Sequence, residues 1–195
     1  MPAAHGLVCN LEGNRMEHKI QLLEREKWQN HEAYFSDYAD SCYCMEISHA
    51  DGSFLVEMRK TPLESRKIIK YPQRLFASED STVKAWGVVD GGQLVAGIET
   101  SIEAGAKSPR LYVSLLWVDE KYRRQGLAAA LVDKAKQRAA AENLRAVYLQ
   151  TWSCNEHAIA FYLSQGFRLI GFDSCPFSNE DAEKFNVPLK LGFFL

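Results

Sequence analysis

The 195-residue chain reads as a single mixed α/β domain. Three observations predict this class. A nearly continuous apolar run, Leu111 to Val118, has the pattern of a strand covered on both faces. It turns through a charged segment into a stretch where Leu127, Leu131, Ala135 and Ala139 recur at helical spacing. Strand and helix patterns then alternate again before two closing strands, without an internal repeat or a low-complexity linker.

Taken in order, the first forty residues read as an N-terminal helical extension, residues 1–40, ahead of the main domain, residues 41–195. Met16, Ile20, Leu23 and Trp28 follow helical spacing with charges between them, so an amphipathic helix is expected over 17–29. Asp51-Gly52 is a hairpin signal between two strands, 44–47 and 54–58. The segment from Pro62 to Phe76 is basic and irregular, and a helix interrupted at Pro72 is one way to read it. A second hairpin joins 85–89 to 94–98 through Asp90-Gly91-Gly92. After the Leu111–Val118 strand and the helix from Leu127, a strand is expected at 146–151 and a helix from Asn155 to Gln165. Gly166 stands where a left-handed C-terminal cap is needed. Strands over 167–172 and 187–194 complete the chain.

Composition narrows the function classes. With 47% hydrophobic residues, 25% charged and a net charge of -2, nothing draws the chain toward nucleic acid or an anionic membrane. No apolar run reaches the roughly 20 residues of a membrane helix. Residues 1–10 lack the charged and apolar regions of a signal peptide, so none is expected. The five cysteines show no metal spacing, since Cys42 and Cys44 lie too close together and only His49 is near. They read as reduced thiols of a cytoplasmic protein that holds no metal.

Tyr122-Arg123-Arg124-Gln125-Gly126-Leu127-Ala128 joins a buried strand to a helix. Free backbone N–H groups and the helix dipole both favour an anion at such a junction. Gly126 permits close approach of a ligand, Ala128 is small, and Arg123 and Arg124 add positive charge. Physically this is a pyrophosphate cradle. The plainer alternative is a turn glycine flanked by solvated arginines.

Leu116-Trp117-Val118, the charged turn and Arg123-x-x-Gly126-x-Ala128 together resemble the acetyl-CoA signature of the GNAT acetyltransferase superfamily. A second block is similar to the family's next strand and helix: Leu149-Gln150-Thr151, then Asn155-x-x-Ala158-x-x-Phe161-Tyr162-x-x-x-Gly166-Phe167. Gln150 departs from the glutamate common in relatives. The two blocks cover about residues 111–172. Gly171-Phe172-Asp173, Phe177 and residues 187–194 further resemble the streptothricin acetyltransferase-like branch, although Ser114 stands where that branch carries an acidic residue.

The resemblance implies a mostly antiparallel central sheet with one parallel strand pair splayed around the cofactor, flanked by helices. It implies an acetyl-CoA-dependent N-acetyltransferase that acts by direct attack in a ternary complex. Residues 41–195 would form the acetyltransferase domain, working as a monomer or homodimer. Leu116, Trp117, Val118, Arg123, Arg124, Gln125, Gly126, Leu127, Ala128, Asn155, Phe161 and Tyr162 are then expected at the cofactor. Val118 would lend backbone groups to the pantetheine.

Acetyl transfer to an amine requires the amine to lose a proton and the leaving thiolate to gain one. A tyrosine, with a pKa near 10, stays protonated at neutral pH and can donate to a thiolate whose conjugate thiol sits near 8.5. Tyr162 suits that role chemically, and the family pattern implies it. For the base, Glu99 and Glu103 follow the third strand, and Ser114 could hold a water. Glu99 is the first choice. His157 reads as an exposed helix residue. A small-molecule primary amine is the expected acceptor. Protein or peptide amines, or a non-catalytic acyl-CoA-binding regulatory module, are the alternatives.

Overall fold

In a computed structural model, residues 19–103, 108–182, 184 and 187–195 are described. Seven strands form the main sheet: β1 (Ile20–Leu22), β4 (Lys84–Asp90), β5 (Gln93–Glu103), β6 (Arg110–Val118), β7 (Ala146–Trp152), β8 (Arg168–Phe172) and β9 (Pro188–Phe194). Their spatial order is β1-β4-β5-β6-β7-β9-β8. All neighbours run antiparallel except β6 and β7, which are parallel. The connection between that pair is α2 (Leu127–Ala141), and α3 (Glu156–Ser164) joins β7 to β8. This is the mixed sheet that the resemblance implies.

The parallel pair is short. Its register covers only Leu111–Val147, Tyr112–Tyr148 and Val113–Leu149. Beyond that point β6 stays paired to β5 as far as Val118, while β7 stays paired to β9 as far as Trp152. The two halves of the sheet therefore part between Ser114–Val118 and Gln150–Trp152. Below the fork, Leu111, Val113, Val147 and Leu149 pack with Leu127, Leu131, Ala135 and Tyr162 in one buried core. That burial accounts for one face of β6; the other, with Leu116 and Val118, is half-buried and lines the opening between the strands.

Before Lys84 the chain departs from expectation. Residues 17 and 18 of the expected amphipathic helix lie outside the described residues. From Ile20 the chain forms β1, a single helical turn α1 (Arg25–Trp28), and then a strand. Leu23 donates its N–H to the Ala85 carbonyl at 2.9 Å, and Leu23 and Trp28 are buried against Ala85, Leu94 and Trp117. Pairing to the sheet edge and burial of both apolar side chains outweigh the local helical pattern. The boundary expected at residues 40 and 41 falls inside the next strand.

That strand, β2 (Glu32–Ala50), pairs with β3 (Ser53–Arg74) in a long two-stranded hairpin. Asp51 and Gly52 both have positive φ, 51° and 76°, as a tight primed turn requires. The basic segment expected to be irregular or helical is thus a strand. Pro62 and Pro72 lack an N–H, but among the described residues β3 pairs with β2 alone, so they are tolerated there.

Several contacts fasten this arm to the main body, two of them at the start of α3. Glu156, the first residue of α3, accepts hydrogen bonds from the N–H groups of Asp40 and Ser41, and from the Ser41 hydroxyl, at a register shift in β2. Lys60 on β3 forms a 2.6 Å ion pair with the same carboxylate. Alongside, Cys42 of β2 is disulfide-bonded to Cys154 in the turn before α3. Two of the five cysteines are therefore not the reduced thiols expected, while Cys44 and Cys175 are free. A disulfide is the mark of an oxidising compartment, so the cytoplasmic expectation loses the support it drew from reduced thiols. Among the described residues no helix is long and apolar enough to cross a membrane.

Candidate active site

The parting strands, the N-termini of both helices and the base of the hairpin arm enclose a cavity of about 390 Å³. At one end lies the loop into α2. Gly126 adopts φ 84°, and a Cβ placed there would meet nothing within 4 Å, so the backbone is open to a ligand. The first helical bond at this end runs from the Ala130 N–H to the Gly126 carbonyl. The amides of Leu127, Ala128 and Ala129 precede it and have no partner within the helix. Open amides, the positive end of the helix dipole and a side-chain-free approach suit a pyrophosphate.

The two arginines behave differently. Arg123 donates from Nε to the Val118 carbonyl (3.2 Å) and from Nη2 to the Ser36 carbonyl (2.8 Å). It ties the loop to β6 and to the hairpin arm rather than reaching outward. Arg124, at φ 63°, is exposed at the cavity rim. Gln125 donates to the Lys121 carbonyl at 3.3 Å and does not line the cavity. Leu116, Trp117, Val118, Gly126, Leu127, Ala128, Asn155, Phe161 and Tyr162 all do.

Asn155 caps α3: its Oδ1 accepts from the Ala158 N–H at 3.3 Å. Two turns on, Tyr162 is buried against Phe161 and Phe167. Burial, with a smaller contribution from Tyr71, pushes its phenol well above the ordinary tyrosine value. Its hydroxyl has no hydrogen-bond partner among the described residues, although the side chain borders the cavity. Tyr162 thus stands at the cavity as a phenol that stays protonated at neutral pH until a base forms beside it.

Ser114 also lines the cavity, at a register shift in β6. Its hydroxyl donates to Glu99 Oε1 at 2.8 Å. Glu99 is buried behind it, and its other oxygen accepts from the Phe76 N–H. The two residues considered for base chemistry are therefore hydrogen-bonded to each other, with the serine in front. Glu103 is engaged elsewhere: it pairs with Arg110, whose hydrogen bond holds its carboxyl below the ordinary range against the opposing effect of burial.

Sequence reasoning missed the wall contributed by the hairpin. Phe35, Asp37, Tyr71 and Gln73 line the cavity from β2 and β3. The Phe35 and Tyr71 rings stack with centroids 4.8 Å apart. His157, read as merely exposed, is 51% exposed at its side chain, yet it borders the cavity and holds Asp37 at 3.2 Å through Nδ1. The usable signal was the strand-forming aromatic content of Tyr34-Phe35-Ser36-Asp37-Tyr38. Among the described residues no group of three or more His, Cys, Asp or Glu could hold a metal ion.

The fold recurs in known proteins. Human N-acetyltransferase 8 is 29% identical over 152 residues, 78% of this chain. The chain spans about half, 55%, of that relative's length. A Bacillus anthracis str. Ames protein assigned as a streptothricin acetyltransferase, solved with acetyl coenzyme A, superposes with a TM-score of 0.64 at 18% identity. The match covers 91% of this chain and 99% of that one. A nourseothricin acetyltransferase superposes with a TM-score of 0.70 at 18% identity, over 91% and 98% of the two chains. At that identity these likenesses speak to the fold. The sequence profile of the Acetyltransferase (GNAT) family matches residues 45–167, well over half of the chain. The protein belongs to the GNAT acetyltransferase family.

Proposed function

We propose that the protein is an N-acetyltransferase that moves the acetyl group of acetyl-CoA to a primary amine of a small molecule, by direct attack with both substrates bound. The parting of β6 from β7 after Val113 and Leu149 carries this reading. It opens a slot between two strand edges, with the amides before Ala130 at one end and the Tyr162 hydroxyl beside it. Acetyl-CoA supplies a thioester already activated for acyl transfer. The amides of Leu127, Ala128 and Ala129 bind its pyrophosphate, and Arg124 supplements their charge. The freed edge at Val118 offers main-chain groups to the pantetheine, as an added strand would meet them. Asn155 contacts the same arm while its Oδ1 caps α3.

The chain's own groups manage the protons. Tyr162 gives its hydroxyl proton to the departing thiolate; burial keeps that proton in place at neutral pH, so the donor is loaded when the thiolate forms. On the acceptor side, the attacking amine releases a proton to Ser114, directly or through a water, as Ser114 passes its own to Glu99. Glu99 ends protonated, and the serine never carries a charge.

A small acceptor is favoured because the hairpin arm stands over the same cavity, whose volume of about 390 Å³ is shared with the pantetheine. The test is amine-dependent release of free thiol from acetyl-CoA across a panel of small amines and amino-terminal peptides. Turnover confined to small amines is the expected result. Turnover only on peptides would transfer the reading to protein amines, and acetyl-CoA binding without turnover on any amine would leave a binding module.

A further inference from the structure

The cavity carries a second anionic group, away from the Ser114–Glu99 pair and unused in the transfer itself. Asp37, on the hairpin arm, has its side chain 18% exposed and directed to the cavity. Its two oxygens are not equivalent. Oδ1 meets the Tyr38 N–H at 2.8 Å and His157 Nδ1 at 3.2 Å, which fix the carboxylate in one orientation. Oδ2 has no partner among the described residues. A partly enclosed carboxylate oxygen without a donor invites a cation. Of the cations on β3, Arg66 is already engaged, forming a two-bonded pair with Asp40 and lying over the Tyr38 ring, and Lys67 reaches the Cys154 sulfur.

The surroundings narrow the class of cation. The stacked rings of Phe35 and Tyr71 stand on the same face of the hairpin as Asp37, because residues 35 and 37 alternate together and Phe35 lies opposite Tyr71. Tyr71 is close enough that Asp37's charge adds to burial in pushing its phenol upward. Aromatic faces beside a carboxylate bind an alkylammonium, which offers N–H donors to the oxygen and methylenes to the rings. A metal ion would instead need several ligands, and among the described residues Asp37 belongs to no group of three or more His, Cys, Asp or Glu.

We propose that Asp37, oriented by His157, receives a second ammonium group on the acceptor. The substrates are then diamines or amino-terminated chains, with one amine reacting beside Ser114 and another held beside Asp37. This rests on the acetyltransferase reading above and adds the substrate class to it.

The test compares α,ω-diaminoalkanes of increasing length with monoamines of the same carbon number, as acetyl acceptors of the full chain. The diamine is expected to show the higher kcat/KM, with an optimum length set by the span from Ser114 to Asp37. Asp37→Asn retains Oδ1 and its two bonds but removes the charge. It should lower the diamine-to-monoamine ratio by 10- to 100-fold, expressed mainly in the KM for the diamine, as expected for loss of a charged hydrogen bond. Asp37→Glu should recover part of the preference with a shifted optimum. Calorimetry of 1,5-diaminopentane onto the protein with CoA present separates the two readings. Binding that is lost in Asp37→Asn, with no turnover on any amine, would overturn the catalytic reading alone. Turnover that does not distinguish diamines from monoamines, or an Asp37→Asn enzyme with an unchanged ratio, would overturn this inference alone.

Discussion

Glu156 holds the hairpin arm to α3, and its charge can be removed in two ways: by acid or by Glu156→Gln. Burial opposes ionisation of this carboxyl, but the Lys60 ammonium, the Ser41 hydroxyl and the amides of Asp40 and Ser41 outweigh it and pull its pKa from 4.5 to about 2. At about 1.4 kcal/mol per pH unit, that difference is worth about 3 kcal/mol of folding stability. The folded pKa is depressed, so this stability is fully present above about 4.5 and is lost as pH falls toward about 2. Urea unfolding of wild type and Glu156→Gln, with the disulfide intact, measures it. The gap between them should be about 3 kcal/mol at pH 7 and about half that near pH 3, with little change in the urea dependence. A gap that stays constant over this range would refute the ionised, multiply bonded carboxylate.

Three further outcomes follow from the geometry. Reducing the Cys42–Cys154 bond, which spans 112 residues, should lower stability by about 2–5 kcal/mol, read as a lower thermal midpoint in dithiothreitol that a Cys42→Ser variant does not show. Tyr162→Phe keeps the packing against Phe167 and should lower kcat by roughly 10²–10⁴ with little change in acetyl-CoA affinity; full kcat where chemistry is rate-limiting would make Tyr162 a packing residue only. Glu99→Gln should reduce kcat/KM more than Ser114→Ala and should move the acidic limb of its pH profile, because water can replace the serine but not the final proton acceptor. A Glu99→Gln enzyme with the wild-type profile would leave the acceptor's own neutral fraction as the source of free amine.

What could be read in the sequence was local. Gly126 and Gly166 have the positive φ their positions demanded, Asn155 caps the helix it precedes, and Leu111 to Val118 is a strand, with one face buried and the other half-buried along the cavity rather than covered on both faces. Each of these depends on a few neighbouring residues. The hairpin arm is another matter. Phe35 becomes a wall of the cavity only through pairing with Tyr71, and Asp37 acquires its role only beside His157, 120 positions away. Cys42 and Cys154 are likewise unremarkable in sequence and meet only when β2 crosses the turn before α3. The helical spacing of Ile20, Leu23 and Trp28 was real, but the sheet edge at β4 offered these residues more burial than an isolated helix could.

The loop into α2 is the part of the site that a ligand-binding measurement reaches first. Gly126→Asp places a carboxylate among the amides that would hold the pyrophosphate, and Gly126→Ala imposes the same strain at φ 84° without the charge. Thermal unfolding of wild type and both variants with and without acetyl-CoA, at one hundred times the wild-type dissociation constant, is the decisive comparison. Wild type should gain about 2.7 kcal/mol from the ligand, Gly126→Ala should keep most of that gain, and Gly126→Asp should lose it while remaining folded. An equal gain in Gly126→Asp would contradict the assignment of this loop as the cofactor's binding site.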